Sequence, residues 1–511
     1  MARSLICFFG WMCMLLVATS AWSQEKRPVE ILNVDDHLFD DRISDAERLI
    51  GNVRLRYENS ILTCDSAYKF PNGNFDAYSS VHVTKGDTLQ LFGDFLSIVK
   101  GENEVVLRDN IRLIDKDMTL TTNDLVYDLT TGKARYVNGG TILSKQNNNV
   151  LTSKVGVYDK QTEFFSFRKN VVLKNPEYTI ASDTLRYHNL TEIAYVEGPT
   201  LITTKESTIT CKQGWFNTRT EESRFSRGAE VLSGTNILRG DSLVFDNRRN
   251  YGEVFRNVFM RDTTSNYYIT GHYGWHDEAQ LRSLVTDSAM MVQVMDDDSL
   301  FLHGDTLRAV PDSLQRRKVL AYHHVKFFKS DLQGKCDSLV FAEQDSTIRM
   351  FFDPILWSDE NQISGKMIEL LLYDSEIHRL DIESEALVVS EEGPERYNQI
   401  AGRELVGFFR NSKLHRIDVD GNSQVVYYPE GSTPGSSVGV NRADCSGLTI
   451  FVDDNRITKV VMRGSPTGGL HPLSKAAPGD RTLERFFWDD TNRPANRQEI
   501  FYKASPPTAT D

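Results

Sequence analysis

The sequence predicts an all-β protein: an elongated array of about thirteen repeats, each roughly 29 residues long and made of two bent antiparallel strands. Three observations predict it. One short phrase returns at near-constant spacing. Within it, apolar residues alternate with period two and then slip phase once. Helical periodicity is almost absent before residue 460.

The phrase NILRGDSLVFDNRR (236–249) returns as LQGKCDSLVFAEQDS (332–346), YTIASDTLRYHNL (178–190), SLFLHGDTLRAV (299–310) and SILTCDSAYKF (60–70). Aligned on its small residue, it gives thirteen anchors: Cys64, Gly93, Thr122, Ser153, Ser182, Cys211, Gly240, Gly271, Gly304, Cys336, Gly365, Gly402 and Cys445. The first ten steps are 29 to 33 residues, and the last two are 37 and 43. Two positions before the anchor stands Leu or Ile in eleven of the thirteen copies, and an aromatic residue is frequent five positions after it. Positions −2 and 0 share one face of a strand, and so do +3 and +5, but the step between the pairs is odd. A bend or bulge at the anchor returns both pairs to one interior, and a small residue followed by Asp or Asn suits that corner. Each phrase is therefore one long strand folded over and shared between two facing sheets.

A second strand precedes each of these. GNVRLRYE (51–58), DNIRLID (109–115), KNVVLKN (169–175) and RNVFMRD (256–262) open with or near Gly or Asn and then alternate apolar with polar residues. PNGN (71–74), DLTTGK (128–133) and DNRRN (246–250) supply turns between strands. Stacking such units buries one continuous core.

Composition bounds the function. The 511 residues are 40% apolar and 25% charged, enough to bury a core. A net charge of −13 gives no affinity for a phosphate backbone, so nucleic acid is not an expected partner. Residues 1–23 combine Arg3, an apolar run and small residues at Ala21 and Ser23, the pattern of a secretory signal peptide. Neither Cys7 nor Cys13 stands at a lipoprotein cleavage position. The chain is expected to be exported. Cys64, Cys211, Cys336 and Cys445 all occupy anchors of different repeats, too far apart for disulfides, and read as small buried residues.

The paired phrases GNVRLRYENSILTCDSAYKF (51–70) and DNIRLIDKDMTLTTNDLVYD (109–128) resemble the OstA-like (organic solvent tolerance, LptA-like) family of lipopolysaccharide-transport proteins. The resemblance extends over about residues 30–460. It implies a bent two-sheet jellyroll, open along one side, whose apolar groove holds acyl chains while the sugar head stays in solvent. It also implies a periplasmic place between the two membranes of a Gram-negative bacterium, outer-membrane association included. The implied partners are lipopolysaccharide or a related lipid, inner- and outer-membrane components of similar fold, and further copies head to tail. Thirteen repeats exceed what a short bridge needs, and no room remains for a C-terminal barrel.

The candidate lipid-groove residues are the inward apolar positions Leu62, Leu91, Leu120, Leu125, Ile180, Leu185, Ile209, Leu238, Leu243, Ile269 and Leu302. A dry core demands the same residues, so the sequence alone does not separate the two readings. No catalytic residue, metal ligand or cofactor motif is singled out. The acidic run Met295–Ser299 lacks the spaced oxygen ligands of a calcium loop and reads as a turn. His323-His324 and the pair His272/His276 read as structural or surface residues.

The organisation is thus a signal peptide (1–23), a jellyroll array (24–460) and a Pro- and aromatic-rich segment (461–511) whose Phe486, Phe487 and Trp488 cap the last repeat or dock a partner. The leading expectation is a lipid carrier. Its rivals are a dry β-solenoid scaffold of the envelope and a parallel β-helix acting on polysaccharide, the latter disfavoured by the long alternating strands.

Overall fold

The computed structural model describes residues 30–502 apart from 40–44, 58–59, 87–88, 100–101, 115–117, 129, 145–147, 160, 189, 296–297, 343–344, 374–375, 411–412, 432–436 and 454–455. The expected signal peptide lies outside the described residues. The described chain is almost wholly β, with one four-residue α-helix and one three-residue 3-10 turn near its C-terminal end. It divides into two compact units, residues 1–234 with 239–248, and residues 235–238 with 249–511. Each unit is an array of antiparallel strands joined mainly to their sequence neighbours. No parallel pairing occurs among the described strands, which removes the parallel β-helix.

The phase slip seen in the sequence is a physical corner. In Met118–Asp128, Met118, Leu120 and Thr122 are buried, and then Leu125 and Tyr127, a step of three across Asn123 and Asp124. Tyr267–Asp277 repeats it, with Tyr267, Ile269 and Gly271 inside, then Gly274 and His276. The bend is expected at the anchor. The extra residue, however, lies on the partner strand. Val53 pairs with Cys64 and Ile50 with Ser66, so Gly51-Asn52 stand opposite Asp65 alone. Both bulge residues are left-handed, with φ of 80° and 46°. Ser79-Ser80, Asp109-Asn110, Lys169-Asn170, Arg227-Gly228, Arg256-Asn257, Asp287-Ser288, His323-His324, Phe352-Asp353 and Gly421-Asn422 take the same conformation. The strand that GNVRLRYE marks therefore begins earlier, at Glu47, and carries its Gly-Asn in mid-strand.

Short polar side chains stabilise left-handed backbone locally, and here they also bond across the corner. Asn110 Nδ2 donates to Asp94 at 2.6 Å and Ser80 Oγ to Asp65 at 3.1 Å. In the second unit the corner histidines do the same work: His324 bonds Asp305 at 2.8 Å and His323 bonds Asp337 at 3.1 Å. His323 and His324 are thus exposed corner residues, each held by its own carboxylate, rather than neighbours alternating along a flat strand. The Asp at anchor +1 is the mate of the bulge on the next strand.

At residues 133–159 the corner severs the strands altogether. Lys133–Tyr136 and Val155–Asp159 pair on one side, and Gly140–Ser144 and Val150–Ser153 on the other. The two arms of the jellyroll are here separate strands. Tyr136 fills the gap: its hydroxyl bonds Ser153 Oγ at 2.7 Å, and its ring occupies the space that a Cβ at Gly140 or Gly156 would need.

The four described cysteines are free, and three of them are buried. Burial pushes the thiols of Cys64 and Cys211 up to about 11 and that of Cys336 up to about 12. Thiols protonated to that degree are poor nucleophiles. Mass-spectrometric mapping of iodoacetamide adducts at pH 8 is expected to find Cys64, Cys211 and Cys336 unmodified in the native chain and modified after denaturation, with the half-buried Cys445 modified first. Asn110→Val places a β-branched residue at φ 52° and removes the bond to Asp94. It is expected to cost about 1–3 kcal/mol in urea unfolding, whereas Asn110→Gly restores most of the loss.

Candidate functional site

Ten of the eleven candidate groove residues are buried, at 0% exposure for Leu120 and Leu243 and at most 8% for Leu91. Leu62, near the N-terminal end of the array, is half-buried. Within the first unit they line one interior in cross-strand register: Leu55–Leu62–Val83–Leu91–Leu113–Leu120–Ile142–Leu151–Leu173–Ile180–Ile202–Ile209–Val231 forms an unbroken ladder on one arm. Leu96, Leu107 and Leu125, and farther along Phe167, Leu185 and Val196, belong to the facing arm. In the second unit Ile269, Met291, Leu302 and Phe327 continue the same pattern. The inward side chains away from the corner are mostly aliphatic or aromatic, while the corner itself buries hydroxyls such as Thr122, Ser153 and Ser182, the last bonded to Thr200 at 2.9 Å.

The margins of the two arms, far from the corner, are joined by side chains that the repeat pattern alone did not single out. Tyr178, four before its anchor, meets Phe216, five after the next, edge to face with centroids 6.1 Å apart. Tyr267 and Phe341 repeat the arrangement in the second unit at 6.4 Å. Burial pushes the Tyr178 phenol up to about 12. Two polar contacts in the second unit span the same opening. Arg317 bonds Asp262 at 2.6 Å, both largely shielded, and Asn236 Nδ2 donates to Glu278 at 2.8 Å. These contacts latch the mouth of each unit. Their sequence signal was present: Tyr178 and Tyr267 stand where other repeats carry aliphatic or small polar residues.

The remaining candidates fall elsewhere. A shallow depression at the severed corner, lined by Thr121, Thr141, Thr152, Lys154 and Asn170, opens outward. Asp298, the described acidic residue of the 295–299 run beyond Met295, accepts from Ser330 N–H and Oγ at 2.9 and 2.6 Å, which is a turn contact; Asp296 and Asp297 lie outside the described residues. His276 is buried between Ser283 and Glu278, at 2.8 Å from each. No group of three or more potential ligands converges on a metal site among the described residues. No helix among them is long and apolar enough to cross a membrane. Phe486 and Trp488 pack on Tyr397 at 5.2 and 5.5 Å and against a buried cluster that includes Val426, Tyr428 and Val440, while Phe487 is 41% exposed.

The Asp262–Arg317 latch has a pH signature. Burial raises the Asp262 carboxyl, but bonds from Thr264 and Thr235 and the charge of Arg317 outweigh it and hold the group below its usual 3.8. A depressed carboxylate contributes stability above its unfolded pKa and loses it as pH falls through the folded value. Asp262→Asn is therefore expected to lower stability by about 1–3 kcal/mol at neutral pH and to flatten the acid limb below pH about 4, measured by urea unfolding across pH.

Residues 26–183 match the model of the family described as OstA-like protein. Among solved structures, fourteen chains are similar. One is the crystal structure of LptH, the LptA-homologous periplasmic component of the conserved lipopolysaccharide transport device from Pseudomonas aeruginosa. It is 14% identical, covers 22% of this chain and 85% of its own, and has a TM-score of 0.21. No curated protein matches the chain.

Proposed function

Residues 26–183 being OstA-like, we propose that the chain is an exported envelope protein that carries lipid acyl chains, lipopolysaccharide or a related lipid, through the interior between its two arms. The observation that supports this most is the unbroken aliphatic ladder. It offers an acyl chain a path along successive strands, with every rung chemically alike. Moving a tail along such a path avoids an exposure cost of about 0.8 kcal/mol per CH₂. No covalent chemistry is required. The chain's own residues provide an apolar surface, a mouth and a set of latches.

The closed mouth sets the mechanism. With Leu120 and Leu243 fully buried, a tail enters only when the arms part. Tyr178–Phe216 and Tyr267–Phe341 lie where that parting starts, and Asp262–Arg317 holds it shut. Partners in this reading are envelope components of similar fold, joined by strand addition at free sheet edges, and its place is the periplasm. The net charge of −13 works against electrostatic capture of a phosphorylated head group, so recognition rests on the tails. The same full burial supports a second reading, a scaffold with a permanently dry core.

In-cell photocrosslinking separates the two. A photoreactive residue at Leu243, Leu120 or Leu302, with Arg248 as the turn control, is expected to give lipid adducts at the three inner positions and none at Arg248. Adducts confined to the chain itself at all three inner positions establish the scaffold.

A further inference from the structure

The mouth of the second unit is polar where the ladder behind it is apolar. Five positions after the anchor, where other repeats bury Tyr127, Tyr158, Phe245 or Phe341, the repeat of Gly271 buries His276. Its ring lies 2.8 Å from Ser283 Oγ and 2.8 Å from Glu278 Oε2, and the same carboxylate oxygen accepts from Asn236 Nδ2 on the opposite margin. Beside Asn236 on that margin stands Asp262, held in place by Thr235 and Thr264 and bonded by Arg317 at 2.6 Å across the opening. Tyr267 begins the next strand of the same margin, and Gln293 is in register with it.

Gln293 is 7% exposed and shares the inner face with Met291. Its Oε1 has no hydrogen-bond partner among the described residues. A buried amide oxygen without a partner destabilises the chain unless something serves it. Two strands away, Asp262 and Arg317 close the opening with opposite charges on opposite margins. The carboxylate side chain is 11% exposed and the guanidinium side chain 25%.

That pair sets a condition on whatever enters. Parting the margins separates two shielded charges, and a separated shielded pair is costly. A hydrocarbon tail offers neither charge a partner. A phosphate relieves Arg317 but is repelled by Asp262. An ammonium relieves Asp262 but is repelled by Arg317. A head group with both charges relieves both, and its charge-assisted hydrogen bonds replace the one it breaks. The selection works by penalising the wrong head groups as much as by rewarding the right one.

We infer that Asp262 and Arg317 form a head-group site for a zwitterion, an ammonium joined to a phosphate or carboxylate, which enters by exchange of partners. Its ammonium goes to Asp262, its anionic group to Arg317, and Gln293 Oε1 accepts a further hydrogen bond from it. This rests on the lipid-carrier reading and names the head-group class of the lipid carried. The neighbouring Glu278 is occupied by His276 and Asn236, and Lys329 is held by Asp331 at 2.7 Å, so neither supplies a competing free charge.

The test uses four amphiphiles with one tail: decyl phosphoethanolamine, decyl phosphate, decylammonium and decanol. Each is titrated below its micellar concentration into the full chain at neutral pH, by calorimetry. Decyl phosphoethanolamine is expected to bind at least fivefold more tightly than each of the other three. Asp262→Asn, which leaves Arg317 unopposed, is expected to turn the preference to decyl phosphate. Arg317→Gln is expected to turn it to decylammonium. The charge exchange Asp262→Arg with Arg317→Asp is expected to restore the wild-type order. Any other order in the wild-type chain overturns the proposal, as does a wild-type order that survives both single substitutions. Equal binding of all four, decanol included, overturns the head-group site and leaves the carrier reading standing. No binding of any of the four overturns both.

Discussion

Everything in this molecule depends on one steric device: two left-handed residues facing a single residue across a strand pair. A flat antiparallel strand puts alternate side chains on opposite faces. Without a slip, the residues of Met118–Asp128 that are buried before Thr122 and those buried after it would point opposite ways. The bulge converts a flat ribbon into a folded one, and both sets turn inward. Its cost is left-handed backbone at non-glycine residues, repeated in most repeats. That cost is offset by the carboxylate opposite, which in Asp94–Asn110 and Asp305–His324 bonds the bulge directly. The motif small-Asp on one strand and Asx/Gly-Asn on the next is thus one structural unit divided between two strands.

The repeat and its phase slip were legible because they are local. A corner needs a small residue, an Asp and a change of parity, and all three lie within six residues of Gly240 or Cys64. The location of the bulge was less legible. The Gly-Asn of 51–52 looks like the start of a strand, since glycine and asparagine ordinarily punctuate strands, and only cross-strand register reveals that Glu47–Ile50 continue the pairing beyond it. Ten of the eleven named positions are buried and Leu62 is half-buried. What they do was not legible, because a packed core and a lipid path call for the same aliphatic residues. The contacts Tyr178–Phe216 and Tyr267–Phe341 join residues 38 and 74 apart in sequence; the repeat marks Phe216 and Phe341 as recurrent aromatic positions, but which residue each meets is not periodic.

The second unit departs from the alternating pattern, and the departure has a cause. Ile355–Ser358 is buried at all four positions, and so are Ala386–Val389. Consecutive apolar residues in a strand indicate burial on both faces. Here one face looks into the jellyroll and the other lies beneath residues 472–502. ILWS, ALVV and QVVYY in the sequence carry that signal, as does the polar Gln362 in NQIS, which is buried because it faces a backbone rather than water. The aromatic cluster of residues 486–488 is half of this interface, and the doubly apolar strands are the other half.

The two faces of the sheet therefore serve different physics. The inner face is mostly aliphatic or aromatic, with small polar residues such as Thr122 and Ser182 buried at the corner. The outer face of the second unit is specific. It places two buried amides and one apolar cluster against the chain's own C-terminal segment. A β-sheet bent at every repeat can present both, because the corner fixes which residues point inward and leaves the alternate set free to be polar in one unit and adhesive in the other. Tightening the outer contact stiffens the arm on which it lies. In the second unit the Asp262–Arg317 pair ties the margins of the two arms and residues 472–502 cover the outer face, whereas the margins of the first unit meet in the aromatic contact of Tyr178 and Phe216.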